Sequence, residues 1–420
     1  MKKCYSAAEI LLPDFNKTDA QKWAIIACDQ FTSEPEYWED AARIVGDAPS
    51  ALSLILPEVY LNETDARLPK IHKKMNDYLK NVLVAHKDAM IATERTQSDG
   101  SVRRGIVLAI DLDEYDYTKG SCALIRATEA TVVERIPPRV AVRRGAAVEL
   151  PHVMLLIDDP NKTVIEPLTS AKGTIAYDTD LMKNGGHIMG RFLTSDEQKQ
   201  VSDALDALIT KNEMFARYGD SELAPLLFAV GDGNHSLASA KAAYEDVKAA
   251  IGAEAAKVHP ARYALCEIVN IHDEALKFEP IYRVMFGVDP RDVLDSLNKY
   301  ARSLNGTAEP QGALVISNEF EEIVGFAAPS RQLTVGTLQD FIDEYLKAHV
   351  GASCDYIHGE GSLRALCEKD GAVGFLFEGM GKDQLFRTVI YDGALPRKTF
   401  SMGHAEDKRY YLEARKIKEL

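Results

Sequence analysis

No run of apolar residues in this 420-residue sequence reaches the roughly 18 that a membrane-spanning helix needs. The six cysteines (Cys4, Cys28, Cys122, Cys266, Cys354 and Cys367) are scattered without a C-x-x-C pair, which argues against structural zinc and against a disulfide framework. Positive charge is also short. Lysine and arginine number 49 against 64 acidic residues, a formal net charge of −15. That balance argues against broad nucleic-acid binding, which needs a basic face, while leaving room for a local basic pocket. The opening MKKCYSAAEILLPDF carries two lysines, but Glu9, Pro13 and Asp14 leave no apolar core for a secretory signal. Several catalytic signatures are missing as well: no G-x-x-x-x-G-K-[ST], no G-x-G-x-x-G, no G-x-S-x-G and no H-E-x-x-H. There is no internal repeat. With 46% hydrophobic and 27% charged residues, the expectation is a cytoplasmic, enzyme-sized protein of two or three domains.

What is present centres on residues 226–245, LLFAVGDGNHSLASAKAAYE. The apolar run 226–230 has the length of a buried strand. Gly231-Asp232-Gly233-Asn234 then allows a sharp turn, because glycine reaches positive φ without steric cost. From His235 onward Leu237, Ala240 and Tyr244 recur at helical spacing. Strand, Gly-rich turn and helix aim free backbone N–H groups at an anion. Asp232, Asn234, His235 and Ser236 add a carboxylate, an amide, an imidazole and a hydroxyl, whereas a plain helix cap needs only one of these.

The second concentration is IRATEATVVERIPPRVAVRRG, residues 125–145, with five arginines (Arg126, Arg135, Arg139, Arg143 and Arg144), Glu129 and Glu134, and no lysine. Arginine's planar fork suits bidentate phosphate or carboxylate binding, although surface pairing with local acids would use the same residues. Pro137 and Pro138 argue against a helix there. A Gly-Gly turn at Lys183-Asn184-Gly185-Gly186-His187 is a candidate lid or an ordinary loop. Arg397 and Lys398, after Pro396, are candidates to complete a phosphate site. Asp29, just past the expected strand 23–28, either faces ligand or opens the next helix. His152, His358 and His404 lack metal-ligand spacing and read as packing or surface residues.

Elsewhere the pattern predicts a long helix over 64–86, strands over 89–95, 104–111, 122–133, 151–157 and 261–271, and a charged helix over 195–218 with a Ser195/Gln198 capping box. Beyond Pro280 short helices and strands alternate, so 285–385 reads as a smaller α+β domain and 386–420 as a return segment.

GDGNHSLASAK, RATEATVVERIPPRVAVRRGAAVELPHVMLLIDDP and LPRKTF together resemble the bacterial family known as domain of unknown function 1015. The Asp-Gly-x-His turn is also similar to the phosphate-binding turn of the ParB/sulfiredoxin-like fold, which includes free serine kinases. This resemblance implies a mixed α/β (α+β) protein, with a ParB/sulfiredoxin-like main domain over 1–284. It implies that the Gly231, Gly233 and Asn234 backbone holds phosphoryl oxygens, that Asp232 is a general base or magnesium ligand, and that His235 contacts phosphate. Many relatives carry D-G-H-H-R, where this chain has Asn234 and Ser236 in place of the first histidine and the arginine. Arg126 or Arg397 could then supply the missing cation, with Arg139 and Lys398 as further phosphate contacts and Glu129 as a second carboxylate.

The resulting expectation is a phosphotransferase using ATP, ADP or pyrophosphate with Mg²⁺, and a small hydroxyl acceptor such as free L-serine. A phosphatase or nucleotide hydrolase, or a non-catalytic binder of a nucleotide or phosphometabolite, would fit the same residues. The expected partner is a small anionic metabolite, with no DNA and no membrane, and a homodimer is left open.

Overall fold

A computed structural model of the chain describes residues 3–129 and 136–418; Glu134 and Arg135 lie outside the described residues. The fold is mixed α/β, in two compact units. The first comprises Met1–Ala127, Thr131–Leu276 and Gly403–Leu420, and the second Thr128–Ala130 and Lys277–Met402. The first unit thus runs to Leu276 rather than 284, residues 386–402 group with the second unit, and the chain re-enters the first unit at Gly403.

The first unit is built on a 10-stranded sheet whose middle is Val102–Asp111, Tyr263–Asn270, Met154–Ile157 and Phe228–Asp232 in that spatial order. Ile106, Leu108, Leu155, Ile157, Phe228, Val230, Cys266 and Ile268 are almost fully buried. Strands covered on both faces read as continuous apolar runs, which is why these segments are visible in the sequence. Met154–Ile157 runs antiparallel to Phe228–Asp232, with Met154 opposite Asp232. This register carries the segment before Met154, including His152, alongside the glycine turn.

Short pairings fasten the 403–418 segment to this unit. Tyr410–Tyr411 pairs with Ile25–Ile26, Arg415–Lys416 with Val148–Glu149, and Leu11 with Ala414. The segment is charged yet buried, so its charges must find partners. Arg409 meets Glu413 at 2.5 Å and Glu267 at 3.5 Å. Arg103 meets Glu267 at 3.4 Å, the Thr93 hydroxyl donates to Glu267 at 2.8 Å, and Arg415 meets Glu149 at 2.7 Å.

Burial alone would raise the carboxyls of Glu149 and Glu267. Arg415 and Arg143 around the first, and Arg409 and Arg103 around the second, hold both below the ordinary glutamate range. A carboxyl depressed in the folded state stabilises above its unfolded value of about 4.3, and that stability is lost as pH falls through the folded value. Thermal unfolding is therefore expected to show a midpoint that is flat near neutrality and drops once pH passes below about 4.3. A midpoint unchanged down to about pH 3 would contradict the coupling.

Four local expectations are corrected. Ile136–Arg143 is helical despite Pro137 and Pro138, because both prolines sit in the first turn, where no intrahelical N–H is needed. The expected 64–86 helix stops at Asn81, and Leu83–Ala89 forms a strand paired with Ala8–Pro13. The 195–218 region divides into Ser195–Ala207 and Lys211–Tyr218, and the capping box is Thr194 with Glu197. The expected 122–133 strand is reduced, among described residues, to Ile125–Arg126.

The second unit is a six-stranded antiparallel sheet. Its order is Glu321–Phe326, Gln311–Ile316, Ala372–Leu376, Phe278–Phe286 and Ser353–His358, with Phe400–Met402 pairing onto Phe278–Phe286. Four helices accompany it: Pro290–Ser303, Thr334–Ala348, Glu360–Cys367 and Lys382–Asp392. Val284, Ile316, Leu363 and Cys367 form part of its core.

Candidate active site

The Phe228–Asp232 strand ends in Gly233, whose φ of +83° lies in the left-handed region, and the helix Asn234–Ile251 starts on the next residue. Gly231 is required for a different reason. A Cβ there would stand 2.8 Å from Leu156 Cγ on the neighbouring strand. Gly233→Ala is expected to cost roughly 1–2 kcal/mol, from the left-handed backbone. A shift in the urea midpoint would measure it, and an unchanged midpoint would contradict the strain.

Gly233 brings no side chain to cap the helix, so its first-turn N–H groups and the positive end of its dipole face the turn. The Asp232 carboxylate accepts from the Gly233 N–H at 3.0 Å and meets Lys408 Nζ at 3.1 Å. Asn234 and His235 are half-buried beside it. Lys408 arrives on the return segment, after the whole of residues 277–402.

Within the first turn of the helix, Ser236 Oγ lies 2.9 Å from His152 Nε2. His152 Nδ1 is 2.8 Å from the Tyr411 hydroxyl, and the two rings meet edge to face. That hydroxyl donates to Cys28 Sγ at 3.2 Å and accepts the Cys28 N–H at 3.3 Å. Asp29 Oδ2 stands 3.7 Å from His152 Nε2. Burial works to raise the Asp29 carboxyl, but His152, the Gln30 side chain and Lys408 hold it below the usual range. The Cys28 thiol, by contrast, is pushed up to about 12, by burial first and then by Asp29.

Ser236, His152, Cys28 and Tyr411 line a cavity of about 170 Å³ in the first unit, together with apolar side chains that include Leu56, Met75, Val142 and Leu265. Arg139 lines it too, held by Glu58 at 2.5 Å, and Arg143 is paired with Glu149.

The other sequence candidates have partners of their own. Arg126 is buried. Its Nε donates to the Ala123 carbonyl at 2.8 Å, and Nη2 donates to Ala224 and Pro225 at 2.9 and 3.1 Å, so it clamps backbone leading into the Phe228–Asp232 strand. Glu129 belongs to the second unit, bridged to Leu395. Arg397 is also there, paired with Asp343 at 2.8 Å, and Lys398 lies 4.6 Å over the Tyr356 ring. The Lys183–His187 turn closes the hairpin between Ile175–Asp180 and His187–Phe192, with Lys183 fixed on Asp40 at 2.9 Å. Arg144 pairs with Asp246 on the surface.

Among the described residues no group of three or more His, Cys, Asp or Glu is arranged to hold a metal. Asp232, already engaged by Lys408, fits a divalent ion only if most of its ligands come with it, as when Mg²⁺ travels on phosphates.

Fold and site together define a mixed α/β protein with a cluster of polar side chains at a glycine-headed helix N-terminus. The chain belongs to the family described as "Protein of unknown function (DUF1015)", which matches residues 13–418. Among solved structures it is similar to a conserved hypothetical protein from Pyrococcus furiosus, at 12% identity, 74% of this chain, 95% of that chain and a TM-score of 0.33. It is also similar to a free serine kinase variant in complex with ADP, at 12% identity, 76% and 93% coverage and a TM-score of 0.36. Free serine kinase in complex with AMP gives 11% identity, 74% and 91% coverage and a TM-score of 0.36. No curated protein matches the chain.

Proposed function

We propose that the first unit is a phosphotransferase, moving a phosphoryl group between a nucleotide or pyrophosphate and a small hydroxyl metabolite, with L-serine the first acceptor to try. The observation that supports this reading is that the Asp232–Lys408 pair and the Ser236–His152–Asp29 group both sit at the N-terminus of one glycine-headed helix. Phosphoryl transfer is mostly positioning and charge neutralisation, and these are the groups it uses. The Gly231, Gly233, Asn234 and Ser236 backbone would receive phosphoryl oxygens, with His235 beside them. Lys408 would supply the cation that the Asn234 and Ser236 differences from D-G-H-H-R remove. Asp232 would take the acceptor's hydroxyl proton, since an alcohol is a poor nucleophile until a base is within reach. Mg²⁺ would be held by Asp232 and the donor's phosphates, neutralising charge on the transferred group.

Phosphorus NMR of the full chain with Mg²⁺, L-serine and, in separate tubes, ATP, ADP and pyrophosphate tests the proposal. A new phosphomonoester signal supports it and names the donor. Inorganic phosphate without acceptor would replace the transferase with a hydrolase. Thermal stabilisation by a nucleotide or pyrophosphate without turnover would leave a binding protein.

A further inference from the structure

We infer that Ser236 is itself a nucleophile toward phosphorus, activated by His152, so that the phosphoryl group rests on the enzyme as phosphoserine between donor and acceptor. The donor class rests on the phosphotransferase reading; the nucleophile does not. The Tyr411 hydroxyl, donating to Cys28 Sγ at 3.2 Å, can accept from His152 Nδ1 at 2.8 Å. In that tautomer Nε2 presents its lone pair to the Ser236 hydroxyl at 2.9 Å, the arrangement the nucleophile requires. A nucleophile, a base within hydrogen-bond reach and a third group that orients the base are the parts an activated serine needs. Asp29, 3.7 Å from Nε2, is placed to stabilise the imidazolium that forms when the proton moves.

The surroundings favour serine over its neighbours. Cys28 lines the same cavity, but its thiol, pushed up to about 12, is not available as thiolate near neutrality. Ser236 stands in the first turn of the helix, where backbone N–H groups can receive the oxygens of an attacked phosphorus. A hydroxyl serving only as a cap would not need a buried histidine fixed on its far side by a buried tyrosine.

In the step itself, Oγ of Ser236 bonds to the terminal phosphorus of a phosphoanhydride, a nucleoside triphosphate or pyrophosphate. The bridging P–O bond breaks and leaves with the nucleoside diphosphate or phosphate, and the serine proton passes to His152 Nε2. The small hydroxyl acceptor then attacks the phosphoserine phosphorus, giving its proton to Asp232 as the P–Oγ bond breaks, and His152 Nε2 returns the first proton to Ser236 Oγ.

The test uses a fluorophosphonate probe on the full chain. It reacts with an activated serine by forming the Oγ–P bond and expelling fluoride, whatever the natural donor. Peptide mass spectrometry is expected to find the adduct on Ser236, absent in Ser236→Ala. Labelling should slow at least tenfold in His152→Gln and in Tyr411→Phe, each checked for an unchanged unfolding midpoint. No adduct on Ser236, or equal labelling rates in folded variants, would overturn the inference. An adduct without NMR turnover would remove the transferase and leave the nucleophile. Turnover without an adduct would remove the nucleophile and leave direct transfer.

Discussion

Asp232→Asn is expected to lower phosphoryl turnover by roughly 10²- to 10⁴-fold, the range a positioned general base contributes. Asparagine keeps an oxygen for the Gly233 N–H, so the turn survives, but it loses the charge that faces Lys408 and the capacity to take a proton. Both partners are partly exposed, and the pair contributes at most about 1 kcal/mol to stability. The variant should therefore unfold close to the parent while losing rate, mainly in kcat. Full turnover in a folded Asp232→Asn would remove Asp232 from the chemistry. Lys408→Met offers the complementary reading: a raised KM for the donor would mark a binding role, and a lower kcat with KM unchanged would mark stabilisation of the transferring group.

The second large effect is on stability. Glu267→Gln is expected to destabilise the protein by about 3–5 kcal/mol, the cost of breaking a buried ion network by removing one partner. The side chain is almost wholly buried between Arg103 and Arg409, with Arg95 also acting on it, and a neutral amide removes the carboxylate they share, leaving Glu413 to pair with Arg409 alone. Urea unfolding would register it. Because Arg409 precedes Tyr411 and follows Lys408, the same substitution should loosen both the Asp232 and the His152 contacts. A variant as stable as the parent would mean that the network is dispensable.

The glycine turn was legible because contiguous residues determine it: an apolar strand, a glycine that must go left-handed and an alanine-rich helix. The helix at Ile136–Arg143 was misread because two prolines look like a barrier until they fall in a first turn, where they cost nothing. Arg126 illustrates a different limit. Its type suggests an anion, but its depth, set by strand pairing, turns it on backbone carbonyls instead. His152 carried no local signal, because what brings it to Ser236 is the register of Met154–Ile157 against Phe228–Asp232. Lys408 and Tyr411 were hidden still further, their positions depending on pairings that span most of the chain. Asp29, past a short strand, offered the one hint on that side of the site.

The return of 403–418 bears on how the protein is made. Residues 277–402 must leave the ribosome before Tyr410–Tyr411 can pair with Ile25–Ile26, and at ~5–20 residues per second that is a wait of seconds. Throughout it Trp23, Tyr177 and the strand edge at Ile25–Ile26 lack the cover they have in the finished fold. Contacts of such long sequence separation close slowly. Synthesis should therefore pass through a collapsed, sticky intermediate, and the first unit should depend on chaperones until its last strand arrives.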